Sequence, residues 1–248
     1  MNNMRFDKFT PCHIIIRAVE GRLIFSNEED CSRFIFQMYT TNIGKPGFNI
    51  FRKNILYIAD KILLGEDVPW KIVSDKGSPI VDILSFALVG DHVHLILSPN
   101  VENGIPRYIH KINVSFAKYY NMKYNREGVL FNKPYKIIPL ETSSQLEATM
   151  RYVNVKSPLD VYNKNWKNGV ENWKEAFEFV EKYQYSSYLD LFGDRSSKML
   201  AAKPILEKYL GMEINKNKID NIDFIENYIS EKLDYYYPVF LEENVKTF

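Results

Sequence analysis

Apolar positions along this chain recur with two different periods, and the switches between them mark out its elements. Residues 11–17, Pro-Cys-His-Ile-Ile-Ile-Arg, are dominated by β-branched side chains and predict a strand. Ser26-Asn27-Glu28-Glu29 offers a helix start, and the helix is expected to run to about Thr41, with Gly44-Lys45-Pro46-Gly47 breaking it. Phe51, Ile55, Ile58 and Ile62 predict a second helix, and residues 65–80 read as an irregular excursion. Val81 to Val89 is apolar, Gly90-Asp91 turns, and His92 to Ser98 returns, which is the signature of a hairpin. Pro106 then sits in the first turn of a long helix, where its missing N–H costs little. Ile109, Ile112, Phe116 and Tyr120 form the inner stripe of that helix, with Arg107, Lys111 and Lys118 opposite. Residues 134–140 predict another strand. Ser144-x-x-Glu147 reads as a capping box opening a helix that stops near Ser157-Pro158. Short helical and aromatic segments follow, including Trp166, Trp173 and Tyr183-Gln-Tyr185-Ser-Ser-Tyr188, and then a helical tail to residue 248.

Strand, doubled helix, hairpin, helix, strand and helix is the order of a split βαβ unit. The expected fold class is α+β: a ferredoxin-like antiparallel sheet with helices on one face, plus a helical C-terminal extension. The main domain is expected over residues 8–160, with an enlarged crossover at 42–80, and the extension over 161–248.

A chain of 248 residues with 46% hydrophobic and 25% charged side chains is ordinary globular material. No apolar run reaches the roughly 18 residues that would cross a bilayer. The first residues are polar and lack the apolar core of a signal peptide. A cytoplasmic protein without membrane contact is therefore expected. Cys12 and Cys31 fall within regular elements and are expected as buried thiols. The net charge of +1 hides an uneven distribution. Residues 101–140 carry seven basic and two acidic side chains, whereas residues 201–248 carry six basic and nine acidic ones. Basic residues interleaved with 17 tyrosines suit a binder of single strands, whose bases stack and whose phosphates pair with cations.

The chain has four histidines: His13, His92, His94 and His110. Two lie in Asp91-His92-Val93-His94-Leu95, and alternate residues of a strand share a face. Their imidazoles can converge on one metal ion and leave coordination positions open for a substrate phosphate. On the helix at 143–157, Gln145, Thr149, Tyr152 and Lys156 run beside the apolar stripe of Leu146, Met150 and Val153. A phenol is a weak nucleophile until it is aimed at a phosphorus whose charge is neutralised. Tyr119 and Tyr120 are rivals for that role, with Tyr120 on the apolar stripe. His13 and His110 are expected to be structural.

His92-Val93-His94, a long basic helix, a strand and Arg151-Tyr152-Val153, in that order, resemble the HUH single-tyrosine transposase family. More narrowly, they are similar to its REP-associated tyrosine transposases. The resemblance spans roughly residues 10–190. It includes His13-Ile-Ile-Ile-Arg17, Ser115-Phe-Ala-Lys-Tyr-Tyr-Asn121, Gly128-Val-Leu-Phe131 and Tyr185-Ser-Ser-Tyr188. It implies Mg²⁺ or Mn²⁺ on His92 and His94 and attack by Tyr152 on single-stranded DNA beside a hairpin. It also implies a 5′-phosphotyrosine intermediate and strand transfer to a 3′-hydroxyl. Arg17, Lys111, Lys118, Lys136 and Lys156 are the candidate DNA contacts, and a homodimer is left open. The family usually places an amide as third ligand just before the proline, where this chain has Lys156 and Ser157. Two alternatives therefore stand beside the transposase: a hairpin-binding regulator without catalysis, and a two-histidine hydrolase that uses water.

Overall fold

The computed structural model describes residues 10–46, 54–168, 170–201, 203–211 and 223. Its strands are β1 (Cys12–Arg17), β2 (Lys45–Pro46), β3 (Val73–Ser74), β4 (Val81–Val89), β5 (His92–Pro99) and β6 (Lys136–Pro139). Its helices are α1 (Glu28–Ile43), α2 (Ile55–Leu63), α3 (Gly104–Lys123), α4 (Ser143–Arg151), α5 (Ser157–Tyr162), α6 (Trp173–Lys182), α7 (Tyr188–Leu191) and α8 (Lys203–Leu210). A π turn, Tyr152–Lys156, joins α4 to α5. Phe51 and most of the expected helical tail lie outside the described residues.

The sheet order is β4-β5-β1-β6, with every neighbouring pair antiparallel, so the second arm of the hairpin slots between β1 and β4. This is the split βαβ arrangement that the pattern predicts. Strand alternation then sorts side chains onto two faces. On one face, Ile14, Ile16, Phe86, Leu88, Val93, Leu95 and Leu97 join a core closed by α1, α2 and α3. On the other, Leu84, Ala87, Val89 and Ile96 pack against Leu146, Met150 and Val153. Helices thus cover both faces rather than one. The stripe at 146, 150 and 153 is apolar and needs a partner surface, which the second face of the sheet supplies.

The enlarged crossover has its own helix, α2, and the small β2-β3 ribbon. Asn42 closes its base: its amide donates to the Val81 carbonyl at 2.9 Å and accepts from the N–H groups of Ile80 and Val81 at 2.9 and 3.0 Å. At the start of α1, Asn27 accepts from the Asp30 N–H at 3.0 Å. Asp30 is itself buried and accepts from Tyr119, Lys123 and Tyr124 near the end of α3. The Lys111 ammonium donates to the carbonyls of Thr41 and Gly44, the acceptors left open as α1 ends.

Two details of the α4 region differ from expectation. The capping box is Thr142 with Gln145, two residues before the predicted pair. Thr142 has the extended backbone that an N-cap requires, and Gln145 reaches back to the Thr142 N–H at 3.1 Å. The helical path also does not stop at Ser157-Pro158. The Ser157 N–H reaches the Tyr152 carbonyl five residues back, and the widened turn carries the chain past Pro158 into α5.

Residues 185–187 run along the outer edge of β4. Leu88 N–H donates to the Tyr185 carbonyl and Ser187 N–H to the Phe86 carbonyl, both at 2.9 Å. Among the described residues, no helix is long and apolar enough to cross a membrane. Cys12 and Cys31 are free and buried, and burial pushes both thiols up to about 12.

Candidate active site

Strand register assembles the site. Arg17 pairs with His92, Ile15 with His94 and His13 with Ile96 across β1 and β5, and Ile15 pairs with Lys136 across β1 and β6. Opposed residues share a face, so His13, Arg17, His92, His94 and Lys136 all belong to the face covered by α4 and the π turn. His92 Nε2 lies 3.0 Å from His94 Nε2, as the expected convergence requires. His94 Nδ1 in turn lies 3.0 Å from His13 Nε2, and His92 Nδ1 lies 2.6 Å from a carboxylate oxygen of Asp91. The other Asp91 oxygen accepts from Arg17 at 3.2 Å. The result is one polar chain: Arg17, Asp91, His92, His94, His13.

Tyr152 stands edge-on to this chain, its ring centroid 5.6 Å from that of His94 and 6.1 Å from that of His13. Tyr152 itself is only partly buried. The Lys156 ammonium sits 5.1 Å from the Tyr152 ring centroid and pairs with Asp160, whose other oxygen accepts from the Trp166 indole at 2.8 Å. Lys156 is 8% exposed, so a buried cation stands one turn beyond Tyr152.

The π turn that carries Tyr152 is fixed from behind. The fully buried Asn154 donates to Ser85 and to the Met150 carbonyl, both at 2.7 Å, and accepts from Ser187 at 2.6 Å. Ser187 accepts from the Phe86 N–H at 3.0 Å, so the trailing Tyr-Ser-Ser-Tyr segment ties the turn that carries Tyr152 to the sheet. Ser157 is buried, and its hydroxyl donates to the Tyr152 carbonyl at 3.3 Å.

Electrostatics keeps the inner imidazoles neutral. Burial, then the neighbouring His92, lower His13 to about 3. Burial followed by His92, His13, Lys156 and Arg17 holds His94 well below the usual imidazole range. Asp91 is held below the ordinary carboxylate value, first by its hydrogen bond to His92. Neutral imidazoles with bare nitrogens are what a metal ion needs. Two nitrogens 3.0 Å apart are also the spacing of adjacent ligands around an ion bound at about 2.1 Å. His92 donating to a carboxylate is the common outer-sphere support of a metal-bound histidine. Among the described residues, no group of three or more His, Cys, Asp or Glu is arranged to hold an ion. The residues present thus fit a two-histidine site, in which His92 and His94 would hold an ion and leave its other positions to oxygen ligands.

The predicted cations divide. Arg17, Lys136 and Lys156 share the histidine face, whereas Lys111 and the exposed Lys118 lie on α3, across the sheet. Tyr119 and Tyr120 are buried in the α1–α3 core, which removes them as rivals to Tyr152. His110 is exposed on α3. Sequence reasoning passed over His13, Asp91 and Asp160 as site residues. Asp91 carried a signal, since a carboxylate beside a ligand histidine is a natural support. His13 carried only its place on a β-branched strand whose register was unknown.

Residues 67–156 match the family model described as Transposase IS200 like. That span includes β4, β5, α3, β6, α4 and the π turn, and with them His92, His94, Tyr152 and Lys156. No curated protein matches the chain. A solved REP-associated tyrosine transposase bound to a REP hairpin aligns over 82% of this chain and 92% of its own, at 9% identity and a TM-score of 0.44. Residues 67–156, which bring the histidine pair and the tyrosine turn together on one sheet face, are thus the part of the chain that is similar to the IS200-like transposases.

Proposed function

We propose that this protein is a metal-dependent endonuclease and strand transferase that acts on single-stranded DNA beside a hairpin, with Tyr152 as its nucleophile. The observation that carries this reading is the edge-on approach of Tyr152 to the His92–His94 pair, at 5.6 Å from the His94 ring. His92 and His94 would hold Mg²⁺ or Mn²⁺ through their Nε2 atoms, and the bound ion would act as a Lewis acid toward the scissile phosphate. Tyr152 attacks the phosphorus, and its oxygen becomes bonded to the 5′ side of the break. The bond to the 3′-oxygen is lost, and the leaving strand ends in a hydroxyl. A 3′-hydroxyl from a second strand can reverse the step and join the two, with no external energy source. Lys156, one turn beyond Tyr152, faces the same space and can exchange Asp160 for a phosphate oxygen. Arg17 and Lys136 extend the cationic surface on this face and are proposed to track the strand. Lys111 and Lys118 are assigned no contact at the site, because they lie on the other side of the sheet.

The presence of Lys156 and Ser157 where the family usually offers an amide favours a second reading, a hairpin-binding regulator that has lost catalysis. One experiment separates them. Single-stranded DNA carrying a hairpin from the sequence flanking the coding locus is incubated with protein and Mn²⁺ and run on a denaturing gel. The expected result is a slow-migrating covalent adduct that Tyr152→Phe lowers by at least about a thousandfold and that His92→Ala also removes. Cleavage without an adduct, surviving in Tyr152→Phe, would establish a water-using hydrolase. A shifted band on a native gel with neither cleavage nor adduct would establish the regulator.

A further inference from the structure

His13 is placed where a structural histidine has no reason to be. It is fully buried, yet its side chain makes one hydrogen bond, and that bond goes to His94. Its other nitrogen, Nδ1, is buried and has no partner among the described residues. The His13 and His94 rings are 24° from parallel with centroids 5.1 Å apart, so the contact runs nearly in the ring planes, nitrogen to nitrogen. A buried imidazole bonded at a single atom to another imidazole is defined by that atom.

The geometry restricts which nitrogens carry protons. His94 turns Nε2 toward His92 and Nδ1 toward His13. A neutral imidazole carries one proton on its two nitrogens. For Nε2 to offer a lone pair to an ion, the proton must sit on Nδ1, which then needs an acceptor 3.0 Å away at His13 Nε2. His92 solves the same problem with Asp91, whose carboxylate accepts from its Nδ1–H. The two ligand histidines are therefore supported by different chemistries, a carboxylate for the outer one and a neutral imidazole for the inner one. A second carboxylate at position 13 would be fully buried, where a charge is costly to desolvate.

We infer that His13 is a positioning residue: its Nε2 accepts the Nδ1–H of His94 and so holds His94 with Nε2 bare toward the ion. The inference rests on the proposed metal site, and its effect is exerted on the ion alone, through His94. Glutamine places its terminal amide where histidine places Nε2, so His13→Gln keeps an acceptor, whereas His13→Leu fills the space without one.

The test measures Mn²⁺ binding to the full chain by electron paramagnetic resonance, with proton–nitrogen correlation spectra of the Mg²⁺-loaded protein as a second readout. His13→Leu is expected to weaken Mn²⁺ binding by about 10- to 100-fold, the usual effect of losing an outer-sphere partner, while His13→Gln stays within a few-fold of wild type. The Mg²⁺-loaded wild type is expected to show His94 protonated at Nδ1. Wild-type affinity in a folded His13→Leu protein would overturn the inference and leave the metal site standing. Equal losses in the Leu and Gln variants would reduce His13 to a packing residue. Absence of Mn²⁺ binding by the wild type would overturn the metal site itself, and His13's role with it. Should His13→Leu fail to fold, the Gln variant and the wild-type His94 spectrum still decide the matter.

Discussion

On β5, the side chains of Val93, Leu95 and Leu97 vanish into an apolar core, while those of His92 and His94 one residue away enter a polar chain that is almost as deeply buried, at 8% and 2% exposure. Burial does not separate the two faces; directionality does. The α1–α3 face is held by dispersion and the hydrophobic effect, which depend on area and volume. On the histidine face an apolar cluster around Ile96 and Met150 lies beside the histidine chain, and that chain is held by bonds that each specify an atom, where a lost partner leaves a buried polar group exposed to no solvent. One face should therefore forgive changes of shape that conserve volume, and the other should forgive very little.

The largest expected effect tests the apolar side. Phe86→Ala should cost about 3–5 kcal/mol in denaturant unfolding, because Phe86 is wholly buried and its removal leaves a cavity. Leu95→Met, of similar volume, should cost less than about 1.5 kcal/mol. If the Met variant were as damaged as the Ala variant, the idea of a forgiving face would fail. Next comes the polar side. Asn154→Ala strips partners from Ser85 and Ser187 and should cost about 1–3 kcal/mol. Its effect on adduct formation should exceed its effect on stability, since the same turn aims Tyr152. A loss of stability with undiminished adduct yield would separate the turn from the chemistry. The smallest effect is at the rim. Arg17→Ala breaks an exposed pair with Asp91 and should change stability by less than about 0.5 kcal/mol. Binding to single-stranded DNA should nevertheless weaken, and its salt dependence should drop by about one phosphate contact. An unchanged salt slope would remove Arg17 from the DNA surface.

Much of this arrangement is legible in the sequence. The hairpin announced itself because both arms are apolar and Gly90-Asp91 is a strong turn. The alternation His92-Val93-His94 fixed which side chains share a face, and the 3.6-residue spacing placed Tyr152 beside an apolar stripe. What stayed hidden depends on register or on departures from ideal periods. His13 meets His94 only because β1 pairs with β5 at a particular offset, which nothing local encodes. The π turn adds a residue to one helical turn, so Pro158 looks like a stop although the chain passes through it. The capping box lies two residues before the pair that the pattern predicts, because Ser144 and Glu147 satisfy the same pattern as Thr142 and Gln145 and backbone conformation alone chooses between them. The covering of the second face was missed because an apolar stripe on a helix does not say which surface it seeks.

The short run at 185–187 has a further consequence, for colloidal behaviour rather than chemistry. β4 is a nine-residue strand, rich in apolar side chains, at the end of the sheet, with Phe86 and Leu88 offering main-chain groups outward. A bare edge of that length and composition is a template on which another copy can add itself, and from there a fibril can grow. Tyr185 and Ser187 occupy those groups within the molecule. The segment that steadies the Tyr152 turn is thus also the seal on a long apolar sheet edge, and a chain cut short before it would first betray itself as a precipitate.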